Sequence, residues 1–190
     1  GIAMKVPPYN ANAEMALVGC AILCNPKEIT GLFGSVMPHH FFNKQTKRIF
    51  EACKRCVDAG AESLDFVLIR DELKGVPDLT LDYAIQCAES VPSASNWRQY
   101  ARVVIEDWQR REVIERAASV SNMAWDKPLS EVLGAIDGIT KRLDIAGDPG
   151  TAIEDVTLDD DRDLRGVPTG IRFVDNLMTT RGYPSSQVSY

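Results

Sequence analysis

The stretch from Asn96 to Leu143 limits what this chain can fold into more than any other. From Trp97 to Trp125 there is neither Pro nor Gly, and nearly every residue suits a helix. Trp97, Ala101, Val104 and Trp108 recur at three- and four-residue spacing, which places them on one helical face. Arg110, Arg111 and Glu112 interrupt that stripe, and it resumes on a shifted face with Val113, Ala117, Val120 and Ala124. Asp126-Lys127-Pro128 stops the helix, because Pro lacks the N–H and clashes with the preceding turn. A second apolar stripe follows at Leu129, Val132, Leu133, Ile136, Ile139 and Leu143. Two helices joined by so short a turn are expected to run antiparallel, as a hairpin. A helix of about 29 residues is roughly 43 Å long at 1.5 Å per residue. A compact domain of ~100 residues is only ~26 Å across. The hairpin is therefore expected to project, and its apolar stripe to need a partner that keeps it from water. The alternative is that the hairpin closes a larger bundle.

The rest of the chain reads as short helices. Asn10 or Asn12 can cap a first helix whose buried face carries Met15, Val18 and Ile22, widened by Leu17 and Ala21. Gly19 lies in the middle of it, at a cost of about 1 kcal/mol against Ala unless another backbone packs there. Asn25-Pro26 starts a second helix with Ile29, Leu32, Phe33 and Val36, ended by Pro38. Phe41 and Phe42 read as core anchors. Asn43 can cap a third helix bearing Thr46, Ile49, Phe50, Cys53 and Val57, with Gly60 placed as a C′ glycine. Asp65 can cap a fourth, closed by Gly75, and Thr80 or Asp82 can open a fifth. Val91-Pro92-Ser93 breaks that one, and Ser95 or Asn96 starts the long arm. No stretch alternates with period two, so the expected fold is all-α: a globular helical head and a projecting antiparallel hairpin.

After Ala146 the texture changes. Between Asp148 and Arg165 seven acids stand against two bases, so this segment holds −5 of the total charge of −6. It reads as an extended, self-repelling linker. From Val167 the pattern turns apolar again, and Gln187 to Tyr190 resembles the start of a strand. The expected organisation is an extended N-terminus over 1–6, with Gly1-Ile2-Ala3 as a remnant ahead of Met4. A head follows over 7–95, the hairpin over 96–146, a linker over 147–166, and the opening of a second domain over 167–190. No run of some eighteen apolar residues exists, so no membrane span is expected. With no apolar signal region either, the expected compartment is the cytoplasm.

Little in the sequence carries catalytic chemistry. Cys20 and Cys24 are four apart and Cys53 and Cys56 three apart, but both pairs fall inside helical patterns without the turns of a zinc knuckle. Buried small hydrophobes are the reading for these four and for Cys87. His39 and His40 are the only histidines and read as packing or surface residues. Lys44, Lys47, Arg48, Lys54 and Arg55 share one helix and read as a solvated face. No Gly-rich loop ending in Gly-Lys-Ser or Gly-Lys-Thr occurs, so no ATP site is expected in these residues, and no metal site.

Four stretches, in order and at matching spacing, resemble the DnaB family of bacterial and phage replicative helicases. Pro7 to Glu14 with Val18 to Leu23 is similar to that family's opening helix. Phe41-Phe42 with Ile49-Phe50-Glu51-Ala52 is similar to its second signature. Val91 to Asn96 with Tyr100 to Val104 is similar to its third. Gly166-Val167-Pro168-Thr169-Gly170-Ile171 resembles the entry to its RecA-like motor. The resemblance implies an N-terminal collar domain that pairs with itself, helps build a hexameric ring, and receives primase and in some systems a loader. It implies a motor beyond these residues that unwinds duplex DNA with ATP and magnesium and holds single-stranded DNA. The acidic linker departs from the family's amphipathic linker helix: only Ile153, Val156 and Leu158 could serve, which suggests a phage- or plasmid-type relative. The expected self-association surface is Trp108, Val113, Ala117, Val120, Ala124, Trp125, Ile136, Ile139 and Leu143. The rival readings are a free-standing helical adaptor for a host helicase or primase, and the helicase-binding domain of a primase.

Overall fold

The computed structural model describes residues 5–76 and 81–146, with side chains as far as Lys141. All regular structure among these residues is helical: α1 (Ala11–Ile22), α2 (Pro26–Ser35), α3 (Lys44–Asp58), α4 (Phe66–Glu72), α5 (Leu81–Glu89), α6 (Trp97–Met123) and α7 (Leu129–Ala146). Short 3-10 turns lie at Pro38–His40 and Ala94–Asn96. The acidic linker and the motor entry expected after Ala146 fall outside the described residues, as does the side chain of Leu143.

Helix starts follow local side-chain chemistry. Asn10 accepts from Ala13 N at 2.9 Å. Asn25 accepts from Lys27 N and Glu28 N while Pro26 supplies a pre-set φ at the first helical position. Asn43 and Asp65 cap α3 and α4 in the same way. At the end of α3, Gly60 sits at φ 100°, with Gly60 N donating to Val57 O and Ala61 N to Cys56 O. That pair of bonds is a Schellman stop, and a side chain at Gly60 would strain it. The start of the long helix differs from expectation. Neither Ser95 nor Asn96 caps it; Ser93 accepts from Ser95 N and turns the chain through a 3-10 segment into Trp97.

The chain divides into two compact units, residues 1–114 and 115–190. The expected boundary at 95/96 marks where α6 begins, and the packing boundary falls within α6. The reason is that Trp97, Ala101, Val104 and Ile105 are buried in the first unit.

In that unit α1 is the central element. It packs most extensively on α5, then on α3, with α2 also in contact. From Ala16 to Ile22 every residue of α1 is buried, so the helix is enclosed nearly all round rather than on the one face expected. Met15, expected in that face, is half-buried. Leu17, Leu32, Ile49, Phe50, Ile69 and Trp97 form the fully buried centre. Phe33 and Phe41 pack on Phe50 with ring centroids at 5.1 and 4.9 Å. Gly19 is explained by close approach: a Cβ there would lie 2.1 Å from the carbonyl oxygen of Cys87 on α5. Phe42 is not a core anchor. Phe41 has extended backbone, which sends consecutive side chains to opposite sides, so Phe42 is exposed and packs on Tyr9 at 4.8 Å.

Candidate self-association surface

Within the first unit, two charged side chains tie together segments distant in sequence. Glu14 is 2% exposed. Its carboxylate accepts from Phe42 N at 2.7 Å, Asn43 N at 3.0 Å and the Thr46 hydroxyl at 2.8 Å. It thereby satisfies two backbone donors at the entry to α3 and the buried Thr46 hydroxyl, and ties α1 to α3. Arg111 donates to the carbonyls of Pro8 and His40, both at 2.7 Å, and its guanidinium lies 5.3 Å from the Phe42 ring centroid. Burial pulls its pKa down, against the opposing pull of Glu14, Asp107 and Glu112. One residue of α6 thus clasps the N-terminal segment and the turn before α3.

The histidines belong to the same clasp. His40 Nδ1 accepts from Met37 N at 3.0 Å. Burial, with His39 and Arg111 nearby, depresses the His40 pKa to about 3, so its ring is neutral. Trp108 packs against both imidazoles, 5.0 Å from His39 and 4.8 Å from His40, which themselves lie 4.5 Å apart. It is half-buried in the head, and of the expected surface residues it is the one most engaged there. The five cysteines are buried, and burial raises their thiols, to about 11 for Cys20 and about 12 for Cys24 and Cys87. Such thiols pack as apolar groups and are poor nucleophiles.

Beyond the clasp, α6 changes character. At 100° per residue the buried stripe at Trp97, Ala101, Val104 and Trp108 and the later one at Val113, Ala117, Val120 and Ala124 lie about 160° apart round the helix. Val113, Ala117 and Ala124 are exposed and Val120 is half-buried. Residues 124–128 turn the chain, with Lys127 N donating to Met123 O at 2.9 Å. Trp125, in that turn, is 87% exposed. On α7, Leu129, Leu133 and Ile136 are 70, 55 and 47% exposed, Ile139 is half-buried, and Val132 alone among the described side chains is buried. A helix with this composition and so little burial has apolar surface to spare.

No described helix is long and apolar enough to cross a membrane, and no cluster of three metal-ligating side chains occurs among the described residues.

Residues 6–106 match the family model of the DnaB-like helicase N terminal domain. The chain belongs to that family. The replicative DNA helicase DnaB of Geobacillus stearothermophilus is 27% identical over 97% of this chain and 44% of its own length. This chain spans less than half the length of the curated DnaB-family relatives it matches. Among solved structures, the N-terminal domain of DnaB helicase from Mycobacterium tuberculosis superposes with a TM-score of 0.62 at 20% identity. That match covers 80% of this chain and all of that one, and it establishes the shared fold. A DnaB-like replicative helicase, solved in a study of its interactions with primase, gives 0.58 at 26% identity over 88% of this chain and 39% of its own. The all-α DnaB N-terminal fold read from the sequence is thus the observed one. Because the matched relatives are replicative helicases, the adaptor reading is not favoured.

What sequence reasoning missed is the clasp. Glu14 gave no signal, since an acid in the first turn of a helix is unremarkable. Arg111 gave one: the spacing 104, 108, 111 keeps it on the buried stripe, where a cation needs acceptors.

Proposed function

We propose that this chain is the association domain of a replicative DNA helicase. It pairs with a second copy through Val113, Ala117, Val120, Ala124, Trp125, Ile136, Ile139 and Leu143, with Trp108 at the head end. In the longer protein this pairing would build the collar of a hexameric ring that receives primase or a loader. A motor would there use ATP and magnesium to unwind duplex DNA and would hold the single strand. Cytoplasmic action follows from that role.

The observation that carries the reading is that Trp125 and Ile136 of this surface continue, through Leu129 and Leu133 beside them, an exposed apolar run in a member of this family. Charge does not oppose pairing: from Glu115 to Ala146 five acids stand against four bases, so two copies bring little net repulsion together. The primase role rests on likeness to the helicase studied with primase. Sedimentation across micromolar concentrations tests the pairing. The chain should form a dimer or larger species, and Val120→Asp should raise the dissociation constant at least tenfold. A wild-type chain that stays monomeric at ~100 μM, weaker than a ~10⁻⁴ M affinity, would remove the reading.

A further inference from the structure

Glycine positions in α7 carry a consequence for how pairing works. Gly134 and Gly138 lie in the interior of α7, and a Cβ at either would meet no heavy atom within 4 Å. Their lack of a side chain makes no close approach possible that the structure uses, in contrast to Gly19. Each still weakens the helix by about 1 kcal/mol relative to Ala. At 100° per residue both lie about 140–180° round α7 from Leu129 and Ile136, so they sit on the far side from the exposed apolar stripe. Among the described side chains, which end at Lys141, little offsets them. Val132 is the one buried side chain described on α7. The Asp137–Lys141 pair is exposed and local, of the kind that adds only a few tenths of a kcal/mol to a helix. Isolated helices of this length are marginal in water, and packing of an apolar face supplies most helical stability in proteins.

We infer that α7 is built to be weak alone, so that its ordering is coupled to pairing with a second copy of this chain. Part of the association energy goes into completing the helix, which lowers affinity and makes the collar contact reversible. The inference rests on the self-pairing reading and adds the order in which things happen: the helix fills out as its apolar face is covered.

The test compares the wild-type chain with the double variant Gly134→Ala/Gly138→Ala. Neither substitution touches the proposed pairing face or meets a neighbour, so folding of the rest is unaffected. Sedimentation should give dimers up to about 700-fold tighter, the sum of four helix-propensity gains, two in each chain, expressed as affinity. Hydrogen exchange of amides 130–141 should depend strongly on concentration in the wild type and weakly in the variant. Gly34→Ala serves as control: it is equally open, lies in α2, and should leave association unchanged. Wild-type dimers with unchanged or weakened association in the double variant would overturn the coupling and leave self-pairing standing. A wild-type monomer at ~100 μM, beyond any ~10⁻⁴ M affinity, would overturn both.

Discussion

α1 and α7 are both apolar helices interrupted by glycine, and the chain treats them in opposite ways. In α1 nearly every residue is enclosed, and at its glycine a Cβ would lie 2.1 Å from a backbone oxygen of α5. In α7 one described side chain is buried, and both glycines open onto empty space. The same residue type is a packing device in one helix and a source of weakness in the other. What distinguishes them is whether the chain itself provides the covering element. Around α1 it provides α5, α3 and α2. For the exposed stripe of α7 the described residues provide none, and this is why the proposed self-pairing is read onto that stripe.

The largest effects this contrast predicts belong to the first unit. Gly19→Ala puts a methyl 2.1 Å from a backbone oxygen, so α1 and α5 must separate. Overpacking usually costs 1–3 kcal/mol, and backbone that cannot rotate away takes this to about 4 kcal/mol. A urea melt of the variant should show it, and a loss under 1 kcal/mol would mean the α1–α5 contact yields easily. Glu14→Gln comes next. One carboxylate oxygen becomes an amide donor set against the N–H and O–H groups it used to accept from, for a loss of about 3 kcal/mol. The same melt measures it, and no comparable loss should follow from any charge change within α7.

A smaller effect follows from the clasp. The His40 ring is neutral in the fold, with its pKa near 3 against an ordinary 6.5, because burial opposes the imidazolium. Between those two values the unfolded chain binds a proton that the folded chain does not. Stability is therefore lost as pH falls below 6.5, by at most about 1.4 kcal/mol per pH unit. His39, also lowered by burial, adds a slope of the same sign. His40→Asn keeps an acceptor for Met37 N–H and should flatten the dependence between pH 6.5 and 5, above the range where carboxylates titrate. An unchanged slope would place the proton elsewhere.

How far all this could be read in advance depends on the range of the interaction. The caps at Asn10, Asn25, Asn43 and Asp65 act within three residues, so sequence shows them. The length of α6 was legible because nothing in it breaks a helix. Gly19 was legible as a condition, and the identity of the approaching backbone came only with the fold. Glu14 was not legible, because its acceptor role exists only once α1 meets residues 42–46. Phe42 was misread, because two adjacent aromatic residues look alike until the backbone between them is known to be extended. The apolar residues of α7 were legible as a stripe, and its glycines, which lie on the polar side, escaped a search for apolar faces.

The smallest effects separate the two regions most cleanly, because they compare like with like. Arg55 on α3 meets Glu72 at the end of α4, with Nε 2.7 Å from the carboxylate and Nη2 3.1 Å from its carbonyl. Lys141 meets Asp137 one turn away in its own helix. Both pairs are exposed, so both are weak. Their geometry differs in what it joins. Arg55→Met keeps the aliphatic stem, removes a link between two helices, and should cost about 0.5–1 kcal/mol in a melt of the head, less at high salt. Lys141→Met removes only a bond within α7, worth about 0.3 kcal/mol. That loss should leave the melt of the head unchanged and appear instead as a slight weakening of association, as the proposed coupling of α7 to pairing requires. Equal effects of the two substitutions on the head melt would mean that α7 is already part of one cooperative unit with it, and the contrast between α1 and α7 would fail.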